Sequence, residues 1–228
     1  MKNVENGRFL LILFLTSFLC CNANEESQSK YPELSKLSVG VFGGSVSSVE
    51  TSEAAKTMWI KEFGFKVSTH GVGGAGFSNI TSSQNIPQQI SNAPVYDVYI
   101  LWASTNDAVK GASVGNLDTE DLSTQNGGIL KCISLIKEKN ENAQILFFIS
   151  MYRFDKYHDV LTPFIEAQKN LCKQLDIPYL DQSTFYNEDN YQNYYLEDKI
   201  HLTRSGYTKI APYQIEFLIK NLNIQKCK

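Results

Sequence analysis

Five short runs of apolar, β-branched and aromatic residues recur along the chain with helix-patterned stretches between them. This alternation constrains the fold more than any other feature. Residues 37–42 form the first run and end at Gly43-Gly44. Residues 53–63 have helical spacing through Ala54, Met58, Trp59 and Phe63. Residues 65–69 are a second run, closed by a glycine cluster, and residues 97–102 a third. Residues 129–139 carry Ile129, Ile133 and Ile136 on one helical face, and residues 145–149 are apolar throughout. Residues 160–175 read as a long helix with Pro163 in its first turn, where the missing N–H costs least. A short run at 177–180 follows, and Thr203 is placed to cap a final helix through Ile210, Phe217 and Leu222. Runs apolar on both faces and separated by helices predict a parallel sheet covered on both sides. The expected fold is of the α/β class: a three-layer α/β/α sandwich around a central, mainly parallel sheet of five strands.

The beginning of the chain reads as an address. Lys2 and Arg8 precede an apolar stretch, 9–19, of the length of a secretory signal core and too short to span a membrane. Cys20 and Cys21 follow, then a polar segment. A cysteine at this place is the usual site of bacterial lipid attachment, and Cys21 is the better candidate of the two. Simple cleavage near Ala23, giving a secreted product, is the alternative. The organisation expected is a signal over 1–20, a flexible tether over 21–34 and one domain over 35–228, exported and anchored at a bacterial cell envelope. Of the other cysteines, Cys132 and Cys172 sit in apolar helical settings and are expected to be buried as small hydrophobes, although a bond between them is compatible with export. With 21 basic and 24 acidic residues the formal net charge is -3, which argues against general nucleic-acid binding.

In a parallel sheet, chemistry collects beyond the carboxyl ends of the strands. Four segments lie there: Gly43-Gly44-Ser45, Gly71 to Gly76, Ser104-Thr105-Asn106-Asp107, and Asp198-Lys199-Ile200-His201. They supply a hydroxyl, flexible backbone N–H groups, a carboxamide and a carboxylate–imidazole pair, the inventory for acyl transfer through a serine. A serine in a glycine turn between strand and helix projects its oxygen over the sheet edge, beside the positive end of the helix. Asp198 is three residues before His201, close enough to hold one imidazole nitrogen while the other faces Ser45. A backbone N–H at Gly74 and the Asn106 amide can serve a developing oxyanion. Taken singly, each of these is ordinary turn or cap chemistry; it is their coincidence in order that points to catalysis.

The same four blocks resemble the SGNH or GDSL-type hydrolases. The resemblance runs from about Leu37 to Leu222, and its most specific block continues as Asp-x-x-His-Leu-Thr-x-x-Gly-Tyr through Gly206 and Tyr207. It implies an SGNH-hydrolase or flavodoxin-like sandwich, with Ser45 as nucleophile, His201 as general base and Asp198 as its orienting partner. The implied oxyanion hole is Ser45 N–H, Gly74 N–H and the Asn106 side chain, and no cofactor is implied. Two positions depart from the usual pattern: Gly44 stands where an aspartate is usual, and Ser104 where a glycine is usual.

Gly71 to Gly76 also fits G-x-G-x-x-G, but the polar, proline-ended stretch after it offers no amphipathic helix, which argues against a dinucleotide site. His70 is expected to play a structural role and His158 to be solvated. Three scattered histidines argue against a metal. Tyr186, Tyr191, Tyr194 and Tyr195 crowd a polar stretch before the last block. Tyr191 and Tyr194 are expected to rim a sugar-binding cleft, the alternative being a loop whose tyrosines pack on the core. The function expected is hydrolysis of a short acyl ester, acetyl above all, on a small molecule or glycan. The alternatives are a glycan-binding surface protein on a degenerate scaffold and a lipid or lysophospholipid acylhydrolase.

Overall fold

The structure, a computed structural model, describes residues 31–48 and 51–223. The expected signal over 1–20 and Cys21 lie outside the described residues. Of the expected tether, the last residues are packed: the Tyr31 ring lies 5.6 Å from that of Phe63, and Leu34 is buried at the start of a 3-10 turn.

Five strands form one sheet: β1 (Ser38–Gly43), β2 (Lys66–Thr69), β3 (Val98–Trp102), β4 (Gln144–Phe148) and β5 (Tyr179–Leu180). All pairings are parallel and the order is β2-β1-β3-β4-β5. The helices are α1 (Glu53–Phe63), α2 (Ile86–Asn92), α3 (Asn106–Val109), α4 (Gln125–Lys139), α5 (Thr162–Gln174) and α6 (Arg204–Asn221).

The period of two in the central strands explains the layers. Val39, Val41, Val98, Ile100, Trp102, Leu146 and Phe148 face one side. There they meet Trp59 and Phe63 of α1 and Ile210 and Leu218 of α6. Their neighbours in sequence, Phe42, Tyr99, Leu101, Ile145 and Phe147, face the other side and meet α2, α4 and α5 through Ile90, Ile129, Ile136, Ile165 and Leu171. Each such side chain contributes about 1.5–3 kcal/mol on burial, which makes these two sets the core. Thr203 caps α6 by accepting the Gly206 N–H at 3.1 Å, and Thr124 caps α4 through Gly127 at 3.0 Å.

Three expectations differ in detail. A helix, α2, forms where none was expected after the glycine cluster. Asn85 caps it by accepting the Gln88 N–H, and Pro87 lies in its first turn. It begins only at Ile86, so the glycine cluster does not open a helix as a dinucleotide loop would. The fourth helix starts at Gln125, four residues early, because Thr124 caps a first turn that Gly127 and Gly128 conceal in the sequence. Strand β5 is confined to Tyr179–Leu180.

Cys132 and Cys172 are free, buried thiols. Burial pushes both above the usual range, Cys172 up to about 12. No described helix is long and apolar enough to cross a membrane.

Candidate active site

After β1 the chain runs to β2 on one side of the sheet, and β3 returns to the other side of β1. The carboxyl ends of β1 and β3 therefore splay apart at a topological switch point, the usual place for a ligand crevice in such sheets. Ser45 follows β1 there, and Ser104 to Asp107 follow β3.

Ser45 opens a 3-10 turn, Ser45–Ser47. The turn is fixed from three directions. Ser47 donates to the Gly44 carbonyl through both its N–H (3.1 Å) and its hydroxyl (3.0 Å). Thr51 donates its hydroxyl to the Ser45 carbonyl, and Tyr207 in α6 donates to the Val46 carbonyl at 2.8 Å. The amide of Gln89 in α2 reaches the end of β1, accepting from Gly43 N–H at 3.2 Å and donating to its carbonyl at 3.0 Å.

The structure brings His201 to Ser45 across 156 residues: imidazole Nε2 lies 2.8 Å from Ser45 Oγ. The other ring nitrogen, Nδ1, lies 2.6 Å from Asp198 Oδ2. Asp198 Oδ1 accepts the N–H groups of Ile200 (2.9 Å) and His201 (3.0 Å), so the carboxylate closes its own turn. Lys199, at φ 59, gives that turn its left-handed residue. Burial pushes the Asp198 carboxyl up, but the hydrogen bonds from the imidazole and from the two N–H donors outweigh it and hold the group below the usual carboxylate range. An ionised carboxylate only accepts, so Nδ1 carries the proton and the Nε2 lone pair is left for the Ser45 hydroxyl.

The N–H groups of Ser45 and Gly74 form no hydrogen bond among the described residues. Gly74 is at φ +77, and open space surrounds the place where a Cβ would stand. Glycine is needed there for its left-handed backbone, not for close packing.

Asn106 is arranged differently from the expectation. Its Nδ2 donates to the Ala75 carbonyl at 2.8 Å and to Ser104 Oγ at 3.2 Å, which engages both amide protons. The Ser104 hydroxyl itself donates to the Ala75 carbonyl at 2.7 Å. Ser104, one of the two unusual positions, is thus the second acceptor that holds the amide. Gly44, the other, touches it. A Cβ on Gly44 would come within 2.7 Å of Ser104 Cβ, 2.8 Å of the Ala75 carbonyl and 3.0 Å of Asn106 Nδ2. The two departures are in steric contact, because the Ser104 side chain, together with the Ala75 carbonyl, fills the space that a residue larger than glycine would need at 44.

Asp107 is fully buried and accepts the N–H groups of Phe77 (2.8 Å) and Ser78 (2.7 Å), tying the glycine loop to the end of β3. Burial, outweighing these bonds, raises its carboxyl above the usual range.

Tyr191 and Tyr194 are not among the residues that line the cavity at Ser45. Tyr191 stacks on Phe154 at 4.4 Å, and Tyr194 lies against Tyr186 at 5.3 Å with the Lys209 ammonium 4.0 Å above its ring. Their apolar faces are used in core packing, the alternative reading of the tyrosine cluster. The cavity at Ser45 is bounded instead by Asn106, Met151, Tyr152, Arg153 and Ile200, and its volume is about 20 Å³. The segment from Met151 onwards follows β4 and carries no motif in the sequence; only its place after a strand could have signalled it. A larger cavity of about 630 Å³ opens at the opposite end of the sheet, by Gln144 and Pro178, and touches none of Ser45, Asp198 and His201.

Of the remaining histidines, His70 bonds the Tyr96 hydroxyl at 2.7 Å and stacks on Phe42. His158 is half-buried, not solvated: its Nδ1 meets the Arg153 carbonyl at 2.8 Å, and its ring lies between Tyr152 and Phe154. No group of three or more metal-binding side chains occurs among the described residues.

Comparison with solved structures gives the same architecture. A protein from Chitinophaga pinensis described as a possible lipase superimposes with a TM-score of 0.66 at 19% identity, covering 81% of this chain and 98% of its own. A member of the lipolytic protein G-D-S-L family from Veillonella parvula gives 0.60 at 16% identity, over 81% and 99%. A protein from Lactobacillus plantarum gives 0.68 at 12%, over 82% and 98%. No curated protein matches the sequence. The profile of the GDSL-like Lipase/Acylhydrolase family matches residues 41–209, a span that contains Ser45, Gly74, Asn106, Asp198 and His201. The chain therefore belongs to the GDSL-like lipase/acylhydrolase family of ester hydrolases.

Proposed function

We propose that the protein is a serine esterase that removes a short acyl group, acetyl above all, from a carbohydrate through an acyl-enzyme on Ser45. One observation carries the reading: the unbroken run of hydrogen bonds from Asp198 through His201 to Ser45 Oγ. Ser45 Oγ attacks the ester carbonyl carbon as its proton passes to His201 Nε2. The carbonyl oxygen becomes an oxyanion, taken up by the unpaired N–H groups of Ser45 and Gly74, with Asn106 as the third donor once its amide turns from Ser104. The bond from carbon to the alcohol oxygen then breaks, and that oxygen takes the proton from His201. Water repeats the sequence on the acyl-serine, giving up its proton to His201; the carboxylic acid leaves and Ser45 recovers its proton. Asp198 stays ionised and steadies the imidazolium.

The small cavity supports the acyl length. About 20 Å³ is roughly the room one water needs, so the cleft beside Ser45 is shallow and offers no buried tunnel for a long acyl chain. The polar walls, Asn106 and Arg153, suit a hydroxylated alcohol. The leader supports export and anchoring through Cys21.

A fluorophosphonate probe, which bonds only to an activated serine, tests the reading. It is expected to label the peptide containing Ser45, and Ser45→Ala is expected to abolish labelling and lower p-nitrophenyl acetate turnover by roughly 10⁴–10⁶-fold. Turnover that survives Ser45→Ala would overturn it.

A further inference from the structure

Arg153 is only 6% exposed, yet only two of its three guanidinium nitrogens hydrogen-bond the protein. Nε donates to Asp155 Oδ1 at 2.7 Å and Nη2 donates to Asp155 Oδ2. Nη1 has no hydrogen-bond partner among the described residues, and it is not among the polar atoms sealed from solvent. Arg153 lines the cavity at Ser45. The side chain is also held in place. Asp155 clamps one edge, the Tyr157 ring lies 5.2 Å from the guanidinium carbon, and His158 Nδ1 holds the Arg153 carbonyl. A donor fixed in this way loses little freedom when it meets an acceptor.

Its side of the cavity can be assigned. Phe154 N–H donates to the Lys199 carbonyl at 2.8 Å, which joins the Arg153 segment to the Asp198–His201 turn, and Ile200 lines the same cavity. The leaving alcohol must lie within reach of His201 Nε2, which protonates it. The wall carrying Arg153 therefore flanks the alcohol and not the acyl group.

We propose that Arg153 Nη1 is a binding donor for the alcohol part of the substrate and that its ligand is a neutral oxygen, a hydroxyl or ring oxygen one or two bonds from the ester. The inference rests on the esterase reading above and adds the group that selects the alcohol. A neutral acceptor fits better than a carboxylate. The charge of Arg153 is already cancelled by Asp155, so an anion would meet a neutral ion pair and not a free cation.

The test compares kcat/KM for a mono-O-acetylated methyl xyloside and for cyclohexyl acetate, two secondary-alcohol esters that differ in their oxygen atoms. Wild type is expected to prefer the sugar ester. In Arg153→Met/Asp155→Asn that preference is expected to fall by about 10- to 100-fold, the worth of a hydrogen bond from a charged donor. The second substitution keeps an acceptor for the Tyr157 N–H, which sits 3.1 Å from Asp155 Oδ1, and removes the carboxylate charge that the first would leave unpaired. Arg153→Lys, which keeps a cation but loses the fork, is expected to recover part of the preference. An unchanged ratio in both variants would overturn the proposal, as would a wild type that favours neither ester. A larger loss on an acetylated methyl galacturonoside would replace the neutral acceptor with an anion and also refute it. If wild-type protein hydrolyses no acetate ester at all, the esterase reading itself fails, which is a different result from an active enzyme without preference.

Discussion

At the scale of single residues, the sharpest expectation concerns Asp198. An asparagine there can present its amide N–H₂ to Nδ1, which favours the tautomer with the proton on Nε2 and leaves Ser45 without a base. Asp198→Asn is expected to lower kcat by about 10²–10⁴-fold on p-nitrophenyl acetate with little change in KM. The contact between Gly44 and Ser104 makes a second prediction. Gly44→Ala is expected to destabilise by about 1–3 kcal/mol through overpacking. In Gly44→Ala/Ser104→Gly the two effects should fall short of additivity by at least about 0.5 kcal/mol, measured by urea unfolding, since the Ser104 Cβ contact is gone. The residues that meet at Ser45 were legible because their chemistry is written in four local blocks. The engagement of Asn106 by Ser104 was not, since it depends on the direction of side chains across 2.8–3.2 Å. Nor was Arg153 legible, because nothing local sets a cavity-lining arginine apart from a solvated one.

At the scale of elements, the glycine loop is held by one buried side chain. Asp107 accepts two N–H groups at once, and an asparagine would turn its N–H₂ toward one of them. Asp107→Asn is expected to cost about 1–3 kcal/mol in denaturant unfolding and to lower kcat by displacing Gly74. The central strands were legible because each is buried on both faces and reads as an apolar run. Helix α2 was not, because seven residues span too few turns to show a period and only Ile86 and Ile90 supply its apolar contacts. Yet it carries Gln89, the clamp on the end of β1, so an element invisible in the pattern fixes the strand end from which the Ser45 turn starts. The tyrosine loop was ambiguous for the opposite reason: aromatic rings beside polar residues have one composition whether they face a sugar or one another.

For the whole molecule, the carboxyls set the response to acid. In Asp155 and Asp181, hydrogen bonds from Arg153 and Lys169 outweigh burial, and with Asp198 these groups sit below the usual range. Groups depressed in this way add stability above the unfolded value, about 4, that is lost as pH falls through their folded values. Asp107 has the opposite sign: its folded value is raised, so stability rises slightly as it protonates on the way down from neutrality. Between pH 7 and 5 two contributions oppose each other: Asp107 adds stability as it protonates, and His70, whose folded value burial lowers, takes stability away as the unfolded imidazole protonates. Thermal unfolding is expected to show a steep fall only below about 4, and His70→Gln is expected to flatten any decline between pH 7 and 5.

The long sequence separation between Ser45 and His201 has a practical consequence. The hydroxyl leaves the first strand and the imidazole enters just ahead of the last helix, so no contiguous fragment shorter than nearly the whole domain can turn over an ester. Recovery of activity after dilution from urea therefore reports completion of the entire chain: hydrolysis should return no sooner than the slowest tryptophan fluorescence phase, and a nascent polypeptide should be inert until α6 has left the ribosome.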